Sequence, residues 1–388
     1  MTQKPNGKRK PLLLALGAAF VLAGAAYGAW YMTSGRYHES TDNAYVNGNL
    51  VQLSARTQGT VVAIKADDTS YVKAGDVIVQ LDETDATLAL EKASASLSGI
   101  VREIGQLYGN KSQASAAVAL RRTELARAEE DLKRRVGLLK DQAVSAEEVS
   151  HARDAVSAAR DALAVAEEAL GATAALTGVT SAAEHPRIAL AVAEFKNAYL
   201  ALQRTRIKAP VSGYVARRSV QVGQPVAPGQ ALLTIVPLEA LWVDVNFKES
   251  QLANVRVGQP VELSADIYGS KVKYEGKILG IGTGTGSAFA LLPAQNATGN
   301  WIKVVQRVPV RVGLKPEQLR EHPLRIGLSM EAEADTHDRS GAMLNSAPVM
   351  VGPLSTDVYA QELADADAEA LRLVEANLPA HLAHQAKP

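Results

Sequence analysis

Between Glu83 and Arg206 runs a long, Ala-rich, glycine-poor stretch in which one heptad position stays apolar through the whole first half. Leu90, Leu97, Ile104, Val118, Leu125, Leu132 and Leu139 lie seven apart, with only Lys111 interrupting. A spacing of seven held this long predicts a coiled-coil seam rather than a helix buried in a globular core. Ala93, Ile100, Leu107, Ala114 and Ala128 complete the seam, and Arg121, Arg122, Arg127, Glu129, Glu130 and Asp131 decorate the solvated face. A second arm repeats the pattern with Val149, Val156, Leu163 and Leu170, filled in by Ala152, Ala159 and Ala166, small residues that let two helices approach closely. Between the arms, Lys140 to Glu148 holds a helix stop, then Ser145 as N-cap and Glu148 three residues on, the spacing of a capping box. The hairpin turns there. Arms of about 55–60 residues would reach ~80–90 Å if unbroken. Gly171, Gly178 and Pro186 fall in the returning arm, and a proline inside a helical pattern kinks or ends it.

The N-terminus carries Lys4, Lys8, Arg9 and Lys10, followed by an uncharged run from Pro11 to Met32 that ends in Trp30 and Tyr31. Such a run can span a bilayer with its basic flank in the cytoplasm and its aromatics at the interface. Residues 1–10 are read as a cytoplasmic N-terminus and 11–32 as a transmembrane anchor. A cleaved signal peptide is the competing reading, because Ala23 to Ala29 offers small-residue cleavage sites. Either way the rest of the chain lies outside the cytoplasm. Lys plus Arg equals Asp plus Glu at 41 each, so no net field points to nucleic acid. With no cysteine, disulfides, thiolate metal sites and Cys nucleophiles are excluded.

The segments flanking the hairpin resemble each other. Gly59-Thr60-Val61-Val62 and Tyr71 to Asp82 on one side correspond to Gly213-Tyr214-Val215 and Pro225 to Ile235 on the other, all offset by 154 residues. At that offset Gly75 meets Gly229, Val72 meets Val226, Ile78 meets Leu232 and Leu81 meets Ile235. Each half (51–82 and 207–237) is a set of short strands too small to bury its own apolar face. The two halves are therefore expected to pack as one β-sandwich, with the hairpin (83–206) inserted between them. From 238 to 338 the pattern changes to alternating strands, Leu241 to Phe247, Pro260 to Leu263, Tyr274 to Ile278, Trp301 to Val305 and Val308 to Val312, which predicts a small antiparallel barrel. Residues 36–50, with Asn43-Ala44-Tyr45-Val46-Asn47-Gly48, are read as a strand joining it. The tail, 339–388, holds a linker and a short helix around Ala360 to Ala376 with Leu363, Leu371 and Val374 as apolar positions. It would dock on the barrel or stay disordered, with disorder favoured near the end.

The half-motif G-x-V, about ten residues, then V-x-x-G-x-x-[LIV], resembles the biotinyl/lipoyl domain. Its division by a helical hairpin resembles the periplasmic adaptors of the HlyD/membrane fusion family. Phe247-Lys248-Glu249-Ser250-Gln251-Leu252, the block from Gly284 to Trp301, and Gln306 to Arg311 resemble the EmrA branch of that family, and the likeness covers about residues 10–337. The fold implied is α+β and multidomain: a transmembrane helix, a split lipoyl-like β-sandwich with an inserted coiled-coil hairpin, and an antiparallel β-barrel. A true carrier needs an acceptor lysine, and Leu81 to Thr87 has Ala86 at that place, so no cofactor is expected. The resemblance implies a periplasmic ring, homo-oligomeric with six protomers, between an inner-membrane transporter of the major-facilitator type and a TolC-like outer-membrane channel. Adaptors that meet such channels carry an Arg, a Leu four residues later and a Ser seven after that; Arg134, Leu138 and Ser145 have this spacing. Ser145 already has a use as an N-cap, so coincidence is the competing reading. Phe247, Lys248 and Glu249 are candidates for a transporter or inter-protomer face, with ordinary barrel strand as the alternative.

Other signals carry little chemistry. Gly280 to Gly286 lacks the G-K-[ST] ending of a phosphate loop and reads as a flexible loop between strands. Asn296-Ala297-Thr298 is a weak glycosylation pattern, and His151 and His185 read as surface residues of the coiled coil. No metal site and no nucleophile-base-acid constellation stands out, so no enzyme is expected. A type I secretion adaptor, a cofactor carrier and a membrane-anchored coiled-coil scaffold are the alternative functions.

Overall fold

A computed structural model of the protein describes residues 9–33, 35–178, 181–289, 305–344, 351–352, 354–379 and 382. The chain opens with α1 (Arg9–Thr33), which among the described residues is the one helix long and apolar enough to cross a membrane. At ~1.5 Å per residue it is longer than the ~30 Å hydrocarbon layer. A single 3-10 turn, Gly35–Tyr37, joins it to β1 (His38–Gly48).

The next four strands, β2 (Val51–Ser54), β3 (Gly59–Ile64), β4 (Tyr71–Val72) and β5 (Val77–Leu81), precede the hairpin, whose helices are α2 (Thr84–Lys140), α3 (Ala146–Thr177) and α4 (Pro186–Thr205). Four more follow it: β6 (Arg206–Lys208), β7 (Gly213–Arg218), β8 (Pro225–Val226) and β9 (Ala231–Val236). The strands of the second half sit 154 residues after their counterparts, and the halves interleave. One sheet has the order β2-β9-β7-β4 and the other β6-β5-β3-β8, so each sheet takes two strands from each half. Val61, Ile78 and Leu81 of the first half and Val215, Leu232 and Ile235 of the second share one buried core. Gly75 and Gly229 occupy equivalent turns with φ of 91° and 85°, the left-handed region that glycine enters without a Cβ penalty.

β5 runs almost directly into α2. The backbone N–H and the hydroxyl of Thr84 both donate to the Asp82 carboxylate, at 3.0 and 2.7 Å. These hydrogen bonds, the hydroxyl's first, hold the Asp82 carboxyl below its ordinary range. The segment likened to an acceptor loop is therefore a helix start, with Ala86 inside the first turn.

The returning arm is two helices rather than one. Gly171 lies within α3 without breaking it, whereas Gly178 ends it at φ 64° and Pro186 opens α4 at its first turn. His185, expected on the surface, is buried as the cap of α4. Its Nδ1 accepts from the Arg187 N–H at 3.2 Å and its Nε2 lies 3.4 Å from the Leu176 carbonyl oxygen. Tyr108 of α2 donates its hydroxyl to the Thr177 carbonyl at 2.9 Å. The physical reason is that a helix break orphans backbone groups, and these polar side chains satisfy them.

Beyond β9 come β10 (Leu241–Lys248), β11 (Pro260–Ala265), β12 (Lys273–Ile281), β13 (Arg307–Leu314), α5 (Pro316–Glu321) and β14 (Ser329–Asp335). With β1 they close a six-stranded barrel in the order β1-β10-β13-β12-β11-β14. Val243, Val245, Leu263, Tyr274, Ile278, Val310 and Val312 fill its core. Burial pushes the Tyr274 phenol up to about 12, and its hydroxyl donates to the His322 carbonyl at 3.0 Å. β12 continues through Gly280 and Ile281 after a register shift, so the glycine run read as a loop begins as strand. Trp301 to Val304 of an expected strand, and Asn296-Ala297-Thr298, lie outside the described residues.

The tail forms α6 (Ala360–Asn377), which docks on α2 and α4 at the base of the hairpin rather than on the barrel. Its buried face is Glu362, Ala366, Ala370 and Val374. Leu363 and Leu371, expected as its apolar anchors, are 49% and 57% exposed. Ala366 and Ala370 in the middle of that face let α6 lie close to the other helices, and leucines there would hold it away. The expectation of disorder at the extreme end falls on residues 383–388, outside those described.

Candidate functional site at the hairpin tip

The turn is built from backbone hydrogen bonds and one reciprocal cap. The amides of Asp141 and Ala143 donate to the Leu138 carbonyl at 3.2 and 3.0 Å, and that of Gln142 to Leu139 at 3.1 Å. Gln142 reverses the chain at φ 54°, a region non-glycine residues seldom enter. The Ser145 hydroxyl accepts from the Glu148 N–H at 3.2 Å, while the Ser145 N–H donates to the Glu148 carboxylate at 2.8 Å. The capping box expected from sequence is present. The Ser145 N–H, and after it the Ser145 hydroxyl, holds the Glu148 carboxyl below its usual range. Val149, one residue further, is buried beneath the turn.

Arg134 and Leu138 stand one helical turn apart on the last two turns of α2. Leu138 is 45% exposed, and the Arg134 side chain is 70% exposed with its Nη2 donating to Asp131 at 3.3 Å. Arg135 holds the other oxygen of the same carboxylate at 2.8 Å. Ser145 is exposed across the turn and its hydroxyl is engaged in the cap. The three residues thus lie at one end of the hairpin, on a turn whose shape is fixed by hydrogen bonds. Val136, also partly exposed, was not singled out from sequence. Like Leu138 it lies off the heptad seam, and that phase was the available signal.

The barrel candidates separate. Phe247 is fully buried in the barrel core and presents no surface, because the alternation of β10 turns it inward. Lys248 and Glu249 are exposed where β10 ends, their amides held by the Gln251 side chain at 3.0 Å and the Gln306 carbonyl at 3.1 Å. Among the described residues no group of three or more His, Asp or Glu side chains is placed to hold a metal ion.

An apolar N-terminal helix, a closed barrel, and a sandwich split by a long helical hairpin together define the architecture of a membrane fusion adaptor. The family described as the EmrA alpha-helical hairpin domain matches residues 84–205, the span of α2 to α4. The chain is 47% identical to the multidrug export protein EmrA of Escherichia coli K12 over 352 residues, covering 90% of each. It is 49% identical to the fatty acid resistance protein FarA of Neisseria gonorrhoeae, covering 89% of this chain and 88% of that one. A solved structure of the periplasmic adaptor EmrA aligns with 77% of this chain and 99% of its own, at 18% identity and a TM-score of 0.40. The chain belongs to the EmrA family of membrane fusion adaptors.

Proposed function

We propose that this protein is the adaptor subunit of a multidrug efflux system, anchored in the inner membrane by α1 with its bulk in the periplasm. It links an inner-membrane exporter of the major-facilitator type to a TolC-like outer-membrane channel. The observation that carries the reading is the hairpin: α2 has 57 residues, ~85 Å at 1.5 Å per residue. Its far end is an exposed turn of fixed geometry, while its near end springs from a sandwich joined to the barrel and α1. A coiled coil of that length supplies reach, and the barrel stands next to the anchor where a transporter would meet it.

Arg134 and Leu138 are the proposed channel contacts. The guanidinium offers directed donors to carbonyl or carboxylate groups, and the leucine offers apolar area. Ser145 holds the turn that presents them, and we assign it to the same contact. Lys248 and Glu249 are proposed for the exporter or a neighbouring protomer in a ring of six. The names of the two relatives mention drugs and fatty acids, which supports small lipophilic compounds as the exported class.

In-cell photo-crosslinking tests this. A probe at Leu138 is expected to capture an outer-membrane channel, and one at Arg127, on the solvated face of α2, is expected to capture none. Absence of a channel adduct from Leu138 in an expressed, membrane-bound protein would overturn the assignment of the tip.

A further inference from the structure

Only two covalent crossings, Asp82 to Thr84 and Thr205 to Arg206, join the sandwich to the hairpin. A two-strand crossing of this kind bends easily, and the hairpin magnifies any bend. Over a lever of ~85 Å, a tilt of about 10° displaces the tip by ~15 Å. The tail lies across this joint.

On the sandwich side, the Glu362 carboxylate, 5% exposed, lies 3.0 Å from Arg56 and 3.9 Å from Lys208. Arg56 belongs to the first half of the sandwich and Lys208 to the second. The Arg56 guanidinium also stacks 4.4 Å over the Tyr359 ring. The Tyr359 hydroxyl donates to the Lys208 carbonyl at 3.4 Å, and the Thr356 hydroxyl to that of Pro210 at 2.7 Å. On the hairpin side, Ala370, Val374 and Leu378 share a buried cluster with Leu97, Val101, Ile104 and Phe195. Lys196 pairs with Asp367 at 2.5 Å, and Asn377 donates to Ser98 at 3.3 Å.

A second, independent sign lies in α2 itself. Glycine is disfavoured in a helix interior, yet Gly105 sits in the middle of α2 directly beneath Pro379. A Cβ at that position would come within 2.8 Å of the proline ring. The missing side chain makes room for the tail. Burying a carboxylate is unfavourable unless cations meet it, and removing one partner of such a pair leaves an uncompensated buried charge.

We infer that residues 356–379 are a brace across the sandwich–hairpin joint, and that Glu362 is a positioning residue that sets the aim of the hairpin. The purpose of that aim, delivering Arg134 and Leu138 to a channel, rests on the adaptor reading above; the brace itself does not.

The chain has no cysteine, so two introduced ones report a single distance. Spin labels at Val222→Cys in the sandwich and Val165→Cys in α3, both well exposed, are measured in full-length protein diluted with unlabelled chain. The unmodified background is expected to give one narrow distance distribution. Glu362→Gln and Gly105→Leu should each broaden or shift it while helix content by circular dichroism stays unchanged. Gly105→Leu favours the helix and leaves the tail sequence intact, so it reads the brace even where Glu362→Gln does not fold. Distributions that match the unmodified background in the folded variants would overturn the brace, whatever happens to melting temperature. A broadened distribution in a protein whose Leu138 never captures a channel would instead leave the brace standing and remove the adaptor reading.

Discussion

The distal and basal parts of the hairpin use the same helix α2 but are held together differently. Distally, α2 meets α3 alone. Val118, Val149, Ala152 and Val156 are buried there, but Leu125, Leu132, Leu139, Leu163 and Leu170 remain half-exposed. Ion pairs between the arms, Arg122 to Glu167 and Arg160 to Glu129, both at 2.9 Å, straddle this seam. At the base, α4 and α6 both lie on α2, and Leu97, Val101, Ile104, Ile188, Ala191 and Phe195 become a true core. Two helices can bury only a line of side chains between them, whereas a third closes the groove on its open side. The rigidity of the hairpin is therefore concentrated at its root.

That contrast can be broken from its strong end first. Phe195→Ala, which empties the centre of the basal cluster, is expected to cost about 3–5 kcal/mol. It should strip hydrogen-exchange protection from α6, and unchanged protection there would show that the cluster does not hold the tail. Val156→Ala, the distal counterpart, removes two methyl groups at ~0.8 kcal/mol each. Its expected loss of about 1.5–2 kcal/mol should appear in exchange of α3 without reaching α6. If α6 responded as strongly, the two regions would be one cooperative unit.

Smaller effects sharpen the distal picture. Ser145→Ala removes the cap and is expected to cost about 1 kcal/mol, fraying the first turn of α3 and loosening the tip. Glu148 makes the same cap sensitive to acid. Its carboxyl titrates below its ordinary 4.5 in the folded chain, so its contribution is fully present above that value. It is lost as pH falls through the depressed one. Amide protection at the tip should therefore decline below about pH 4.5, and Glu148→Gln should flatten that decline. Arg122→Gln should be the mildest, at or below ~0.5 kcal/mol, because both side chains of the pair are solvated. A larger loss, measured by denaturation, would mean that the cross-arm pairs set the register of the seam.

Much of this architecture was legible in the chain. The period of seven declared the coiled coil, the Ser145 and Glu148 spacing its turn, and the offset of 154 residues the paired halves. Each is a local or repeated pattern, and such patterns survive projection onto one dimension. The misses have a common origin. β14 alternates Met330, Ala332 and Ala334 inward with Ser329, Glu331 and Glu333 outward, yet alanine and glutamate are helix formers and masked the strand. Phe247, read either as a contact residue or as ordinary barrel strand, is the latter, buried in the barrel core. At the tip, the resemblance supplied Arg134, Leu138 and Ser145, while their exposure and the exposed phase of Val136 required the coordinates.

The sequence by itself determined the coiled coil, its turn and most of the strands, because periodicity, caps and glycines act over a few residues. Only the tertiary structure decided where the tail goes. Glu362 finds Arg56 and Lys208 across separations of 306 and 154 residues, and α6 buries alanines instead of leucines because close helix packing selects for small side chains. Long-range partners of a buried charge leave no periodic trace in the chain; they appear only when the fold brings the charges together.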